Sequence, residues 1–309
     1  MNLGFIGLGK MGGNMVERLV KDGHSIIAFD YNESAKQRVA HIGGEVKESV
    51  EELVATLPSP KVVWMMVPSG KPVDQLIHDL TQWMSEGDII IDGGNSNYKD
   101  TIRRAEHLTQ LGIQYIDVGT SGGIWGLTEG YSLMIGGEKN AVESIVPILR
   151  SLAPTYETGW AHVGPSGSGH FVKMIHNGIE YGMMQAFAEG FAIMEAKKEF
   201  ELDLPEIAEI WRHGSVVRSW LLDLTAEALK KNPNLEGLEP YVADSGEGRW
   251  TVFEAIDLDV AAPVITESLL RRIQSRESNS FADRMLAIQR NAFGGHDISV
   301  RDASHPSQV

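Results

Sequence analysis

Leu3-Gly4-Phe5-Ile6-Gly7-Leu8-Gly9-Lys10-Met11-Gly12 is a short apolar run followed by three glycines spaced G-x-G-x-x-G, and a helical pattern, Asn14–Lys21, follows directly. Glycine at these places permits a tight turn, close approach of backbone to a pyrophosphate and close helix–strand packing. The helix that starts there offers free N–H groups and the positive end of its dipole to phosphate. In a chain with 33 glycines such a loop could be a plain turn. The setting argues otherwise, because a second apolar run, Ile26–Asp30, ends in an acid. A carboxylate there accepts hydrogen bonds from an adenosine ribose and repels a 2′-phosphate, although capping the next turn is a simpler use for it. Gly7, Leu8, Gly9, Lys10, Met11, Gly12, Asp30 and Tyr31, with Val67 at the end of a later strand, are therefore the expected cofactor contacts. NAD is favoured over NADP.

Outward from this loop, apolar runs at Val62–Val67, Ile89–Asp92, Tyr115–Val118 and Ser132–Ile135 alternate with helical patterns at Ser34–Ala40, Val73–Leu80 and Thr101–Leu111. Near-continuous apolar strands separated by helices describe a parallel sheet covered on both faces. The strand signal stops at about residue 160. Beyond the turn-rich joint Gly164-Pro165-Ser166-Gly167-Ser168-Gly169 come only helical patterns, at His170–Lys198, after Asp203-Leu204-Pro205, and at Ser219–Lys230, Trp250–Leu258 and Pro263–Arg276. The expected fold class is an α/β Rossmann-type doubly wound sheet domain, residues 1–164, followed by an all-α helical domain, residues 165–309, to which the family resemblance described below assigns substrate and subunit contacts.

Bulk properties narrow the function. A net charge of −15 disfavours nucleic-acid binding, which needs a Lys/Arg surface. The absence of cysteine removes disulfides, thiolate nucleophiles and cysteine-ligated metals. No apolar run approaches the roughly 18 residues of a membrane span, and the N-terminus reads as a strand and turn instead of a signal peptide. A soluble cytoplasmic protein is expected.

Lys173, His176, Asn177, Glu180 and Tyr181 share one face of the long helix, and the residues between them are mostly apolar. A titratable stripe on an otherwise apolar helix is expensive unless it lines a cleft. The rival is a solvated polar face, but such faces carry Glu, Lys and Gln more often than His, Asn and Tyr together. Ser121-Gly122-Gly123 follows a strand at the carboxyl end of the sheet, where ligands bind in doubly wound folds; it is equally readable as a simple turn.

With these residues in view, the chain resembles the decarboxylating 6-phosphogluconate dehydrogenases over most of its length. The nucleotide loop Gly7–Gly12, Asp92-Gly93-Gly94-Asn95-Ser96, Ser121-Gly122-Gly123 and Arg290-Asn291-Ala292-Phe293-Gly294-Gly295-His296 each match a family motif. The most specific match is Lys173-Met174-Ile175-His176-Asn177-Gly178-Ile179-Glu180-Tyr181-Gly182. The resemblance implies an enzyme that oxidises 6-phosphogluconate to ribulose 5-phosphate and CO₂ without a metal, a step of the pentose phosphate pathway. Lys173 is then the base and later the acid at the C3 oxygen, and Glu180 protonates the carbon left by CO₂. Glu180 must be neutral at that step, which burial beside Tyr181 is expected to favour. Asn95, Ser121, Gly122, Gly123, His176 and Asn177 hold the sugar acid, and Asn95 also touches the cofactor. Tyr181, Arg272, Arg290 and His296 take the phosphate end.

The resemblance further implies at least a dimer, the tail of one subunit completing its neighbour's site. Taken alone, Arg272 reads as a surface charge and Arg290 with His296 as a frayed tail. Three departures stand out. Asp30-Tyr31 replaces an arginine that many members use for a 2′-phosphate, Ser245 replaces a lysine that often assists phosphate binding, and the chain lacks the duplicated helical half of the long members. It is thus similar to the short, NAD-preferring branch. The rivals are an NAD-dependent β-hydroxyacid dehydrogenase for a small unphosphorylated acid, which usually lacks the His176–Glu180–Tyr181 set, and a non-catalytic NAD-binding redox sensor, which has no need of Lys173 and Glu180.

Overall fold

The structure, a computed structural model, describes residues 1–294. The strands are β1 (Asn2–Ile6), β2 (Ser25–Phe29), β3 (Glu45–Val46), β4 (Val62–Met65), β5 (Ile89–Asp92), β6 (Gln114–Ser121), β7 (Ser132–Gly136) and β8 (Trp160–Gly164). Between them lie α1 (Lys10–Lys21), α2 (Glu33–His41), α3 (Val50–Thr56), α4 (Lys71–Thr81), α5 (Tyr98–Gln110), α6 (Gly126–Glu129), α7 (Lys139–Ser144) and α8 (Val146–Leu152). The rest is helical: α9 (Ser168–Ala196), α10 (Leu204–Trp211), α11 (Trp220–Lys231), α12 (Glu247–Asp257), α13 (Pro263–Gln274) and α14 (Phe281–Gly294). No described helix is long and apolar enough to cross a membrane.

The sheet order is β3-β2-β1-β4-β5-β6-β7-β8, with the chain reversing direction across β1 as a doubly wound sheet requires. Alternation along the strands gives each face its own core. Leu3 and Phe5 pack with Met15, Val16, Leu19, Val39 and Trp64 on one side, while Ile6 joins Leu53, Val63, Met65, Val73 and Leu80 on the other. Every described strand residue from Leu3 to Ile6 is buried, which is why the run reads as continuously apolar.

Two expectations are corrected here. The sheet is not wholly parallel, because β7 runs antiparallel to β6 with Val118 opposite Ile135. The connection between them is short, too short for a crossover, and only an antiparallel return is then open to the chain. The strand signal also does not stop at 160. Trp160–Gly164 forms β8, parallel to β7, but three of its five residues are exposed and it has no apolar alternation to read.

By packing, the chain forms two compact units, neither of them continuous in sequence. One compact unit holds residues 1–186 and 245–265, and a second holds 187–244 and 266 onward. The long helix α9 thus begins in the first unit and ends in the second. Its start is bound to the sheet through three glycines. A Cβ on Gly119 would lie 2.4 Å from Lys173 Cβ, one on Gly136 2.5 Å from Asp117 Oδ1, and one on Gly169 2.4 Å from the Met134 carbonyl oxygen. In the second unit Ala208, Ala226 and Leu229 form a small core beside Phe191 and Leu204. There α10 is capped by Asp203, which accepts from the Glu206 N–H, and α11 by Ser219, which accepts from the Leu222 N–H.

Candidate active site

Gly7 carries φ of 96°, and a Cβ there would lie 2.4 Å from the Met66 carbonyl oxygen, so glycine is required by both conformation and space. Gly12 is needed for packing, since its Cβ would lie 2.0 Å from the Gly7 carbonyl oxygen. Gly9 is different. It caps α1, and a Cβ on it would meet nothing within 4 Å. Open space over the first turn of a helix is where backbone N–H groups can receive a pyrophosphate, and the loop fits that group. Asp30 stands beside it: its Oδ2 accepts from the Leu8 N–H at 2.6 Å and its Oδ1 from the Asn32 N–H at 2.7 Å. A carboxylate has about four lone-pair positions, so acceptor capacity for ribose hydroxyls remains. The Tyr31 side chain is almost fully exposed, its ring set edge-on to Phe29.

Asn95 is held by the loop that carries it. Asp92, fully buried, accepts from the Gly94 N–H at 3.1 Å, Ser96 Oγ at 2.6 Å and the Tyr115 hydroxyl at 3.0 Å. The loop is therefore tied at both ends while Asn95 itself faces solvent. Gly94 passes close to Val67, whose carbonyl oxygen would be 3.0 Å from an added Cβ. Gly122 and Gly123, with φ of 136° and 54°, turn the chain sharply after Ser121 at the end of β6. The second of these has open space at its Cβ position.

The stripe on α9 meets this loop. His176 links it, with Nε2 3.3 Å from Ser121 Oγ and Nδ1 3.3 Å from Lys173 Nζ. The same Nδ1 is 3.3 Å from Asn177 Oδ1 and 3.9 Å from a Glu180 carboxylate oxygen. Lys173 is only 7% exposed, and burial pushes its ammonium below the ordinary lysine value, against the opposing pull of the Glu180 and Glu247 carboxylates. Burial also lowers His176, with the Lys173 charge acting in the same direction. The pair is thus biased toward a neutral amine and a neutral imidazole. Lys173, Asn177 and Tyr181 are buried, whereas the Glu180 side chain is 40% exposed. The burial expected for Glu180 beside Tyr181 is therefore absent from this chain taken alone. Val172, Ile179, Met183 and Met184 are exposed as well, so α9 is not covered on all its apolar sides.

Arg272 and Arg290 lie in the second unit, where Arg272 Nη1 donates to the Ala243 carbonyl at 2.9 Å and the Arg290 side chain on α14 is exposed. His296 lies outside the described residues.

Two residues missing from the sequence reading shape the stripe. Asp117, fully buried on β6, accepts from the N–H groups of Gly167 at 2.7 Å and His170 at 2.9 Å, and so anchors the start of α9. An acid inside the apolar run Tyr115–Val118 was the available signal. Glu247, 5% exposed at the first position of α12, accepts from the Ser245 hydroxyl. Thr251 ties this helix to α9 by donating to the Met174 carbonyl at 2.8 Å, and a Cβ on Gly248 would lie 2.4 Å from the Tyr181 ring. Among the described residues no group of three His, Asp or Glu is placed to hold a metal ion.

Comparison with known proteins matches the chain in two consecutive stretches. Residues 2–162 match the NAD binding domain of 6-phosphogluconate dehydrogenase, and residues 169–291 match the C-terminal domain of that enzyme. The NAD(+)-dependent, decarboxylating 6-phosphogluconate dehydrogenase of Haloferax volcanii is 41% identical over 303 residues, covering 98% of this chain and 100% of its own. That of Bacillus subtilis is 36% identical over 93% of this chain, but only 64% of the longer relative is matched. Among solved structures, Plasmodium falciparum 6-phosphogluconate dehydrogenase superposes with a TM-score of 0.82 at 28% identity, covering 99% of this chain and 67% of that one. With both family domains matched and full-length relatives above 40% identity, this chain belongs to the 6-phosphogluconate dehydrogenase family.

Proposed function

We propose that this chain converts 6-phospho-D-gluconate to D-ribulose 5-phosphate and CO₂ with NAD as oxidant. The observation that carries the reading is the buried, desolvated Lys173 held beside His176 and Ser121 on a helix that matches the family's C-terminal domain. NAD, when bound at the loop opened by Gly7, Gly9 and Gly12, supplies the acceptor for the hydride that leaves C3.

Lys173 as free amine takes the proton of the C3 hydroxyl, which its lowered pKa allows without strong base. The β-keto acid so formed loses CO₂ because its carbonyl accepts the electrons, and protonated Lys173 returns the proton to that oxygen. Glu180, partly exposed and one turn from His176, delivers a proton to the carbon that CO₂ has left, while Lys173 takes the proton back from the C3 oxygen, so that the enediol becomes the ketone and the free amine is restored. Asn95, Ser121, Gly122, Gly123, His176 and Asn177 hold the sugar acid, and His176 orients Lys173 through Nδ1. Tyr181, Arg272, Arg290 and His296 serve the phosphate end, for which planar guanidinium donors suit best.

We also propose a homo-oligomer. Val172, Ile179, Met183 and Met184 on α9 and Phe253, Ile256 and Val264 further on are exposed apolar side chains that a second copy would cover, and the same cover would bury Glu180. The test is NADH absorbance and CO₂ release with 6-phosphogluconate and NAD, run beside 3-hydroxyisobutyrate. Equal NADH and CO₂ from the sugar phosphate alone is the expected result. Turnover of the small acid without CO₂ would overturn the substrate assignment, and absence of turnover with intact NAD binding would leave a sensor in its place.

A further inference from the structure

Arg38, on α2, lies over the first turn of α1. Its Nη2 donates to the carbonyl oxygens of Leu8 at 3.0 Å and Gly9 at 3.2 Å. The seat for this guanidinium is Gly13, where a Cβ would lie 1.5 Å from Arg38 Nη2 and 2.5 Å from Cζ. Gly13 is an ordinary helical residue, its N–H bonded to the Gly9 carbonyl at 2.8 Å, so backbone conformation does not require glycine here. Glycine inside a helix is less stable than alanine. Its use at this position is the space it leaves for Arg38.

The Leu8 peptide is therefore gripped from both ends. The Asp30 carboxylate takes its N–H at 2.6 Å, and the Arg38 guanidinium takes its C=O. Both bonds are charge-assisted, and they act on a loop whose glycines otherwise leave the backbone many conformations. We propose that Arg38 is a positioning residue for the dinucleotide, holding Leu8 and Gly9 in the phosphate-receiving shape from a seat that Gly13 keeps open. This rests on the dinucleotide assignment of the loop. It adds a fourth functional glycine after the G-x-G-x-x-G pattern and a residue from α2 that the pattern does not contain. Preorganisation of this kind acts on binding and leaves the chemical step alone, because Lys173 and its neighbours lie on a different element.

The experiment measures NADH affinity by fluorescence titration, with KM for NAD, kcat and Tm, in the full-length chain and in R38A, R38K, G13A and the G13A/R38A double variant. R38A is expected to weaken NADH binding and raise KM about tenfold, with kcat within about twofold. G13A should match it, since the flexible arginine is displaced while alanine suits the helix. The double variant should be no worse than R38A, because the added methyl then meets no guanidinium. R38K should recover part of the affinity. Unchanged affinity in R38A, or losses that multiply in the double variant, would overturn the inference, as would a lowered Tm with unchanged affinity. If the wild-type chain does not bind NADH, the dinucleotide reading falls and takes this inference with it. Wild-type binding with an unaffected R38A removes this inference alone.

Discussion

Two sets of polar side chains, the acids Asp92 and Asp117 on the sheet and the stripe on α9, are built differently. Asp117 is fully buried and takes two backbone N–H groups at 2.7 and 2.9 Å; Asp92, on the neighbouring strand, takes three partners at 2.6 to 3.1 Å. Lys173, Asn177 and Glu180 each stand 3.3 to 3.9 Å from His176 Nδ1 and so share it as a common partner. The carboxylates of the first set are fully buried and hold the Asn95 loop and the start of α9 through short bonds. The side chains of the second set are loosely joined, with donors and acceptors to spare, and their environment lowers the basicity of Lys173 and His176. Short, complete bonding marks the scaffold, and long, shared bonding marks the groups left for a ligand.

The contrast is broken most easily at Lys173. Lys173→Ala should cut kcat by roughly a thousandfold or more, the scale of a lost general base, while leaving NADH affinity nearly unchanged. Its Tm should not fall, because a desolvated amine is a cost to the fold. Loss of cofactor binding in this variant, or a Tm well below wild type, would put Lys173 with the scaffold. The pH profile sharpens the same point. A lysine lowered by burial becomes a free base at lower pH than an ordinary one, so the rising limb of kcat/KM should lie below the ordinary lysine value. A limb at the ordinary value would mean that Lys173 is solvated in the working enzyme.

Asp117→Asn tests the other side. The amide must present an N–H where the carboxylate faced a backbone donor, next to the start of a helix. The expected loss is about 3 kcal/mol of unfolding free energy, read from the urea midpoint. An unchanged midpoint would show that α9 is anchored by its glycine contacts alone. The smallest effect belongs to Asp30, which has features of both sets: two short backbone bonds, yet a partly exposed carboxylate beside the cofactor loop. Asp30→Ala should shift the NAD to NADP preference by about tenfold toward NADP, one charge repulsion removed at a solvated site. A constant ratio accompanied by weaker binding of both cofactors would leave Asp30 only its grip on Leu8.

Much of this protein was determined by local sequence. A glycine spacing after an apolar run, alternation within strands, cap residues such as Asp203 and Ser219, and the offsets that put Lys173, His176 and Glu180 on one helical face all act over a few residues. The doubly wound class of the sheet and the stripe were therefore legible, as was the family. Tertiary structure alone decided four things: the direction of β7, the pairing of the exposed strand β8, the packing division inside α9, and which acids serve as scaffold. Asp117 and Glu247 look like any other carboxylates in the chain until burial and, for Asp117, the distant N–H groups of Gly167 and His170 set them apart. Arg38 reads as a surface arginine on α2 until Gly13 and the Leu8 carbonyl come beneath it. Long-range contacts of this kind depend on where separate segments meet in space, and no periodicity within one segment encodes that meeting.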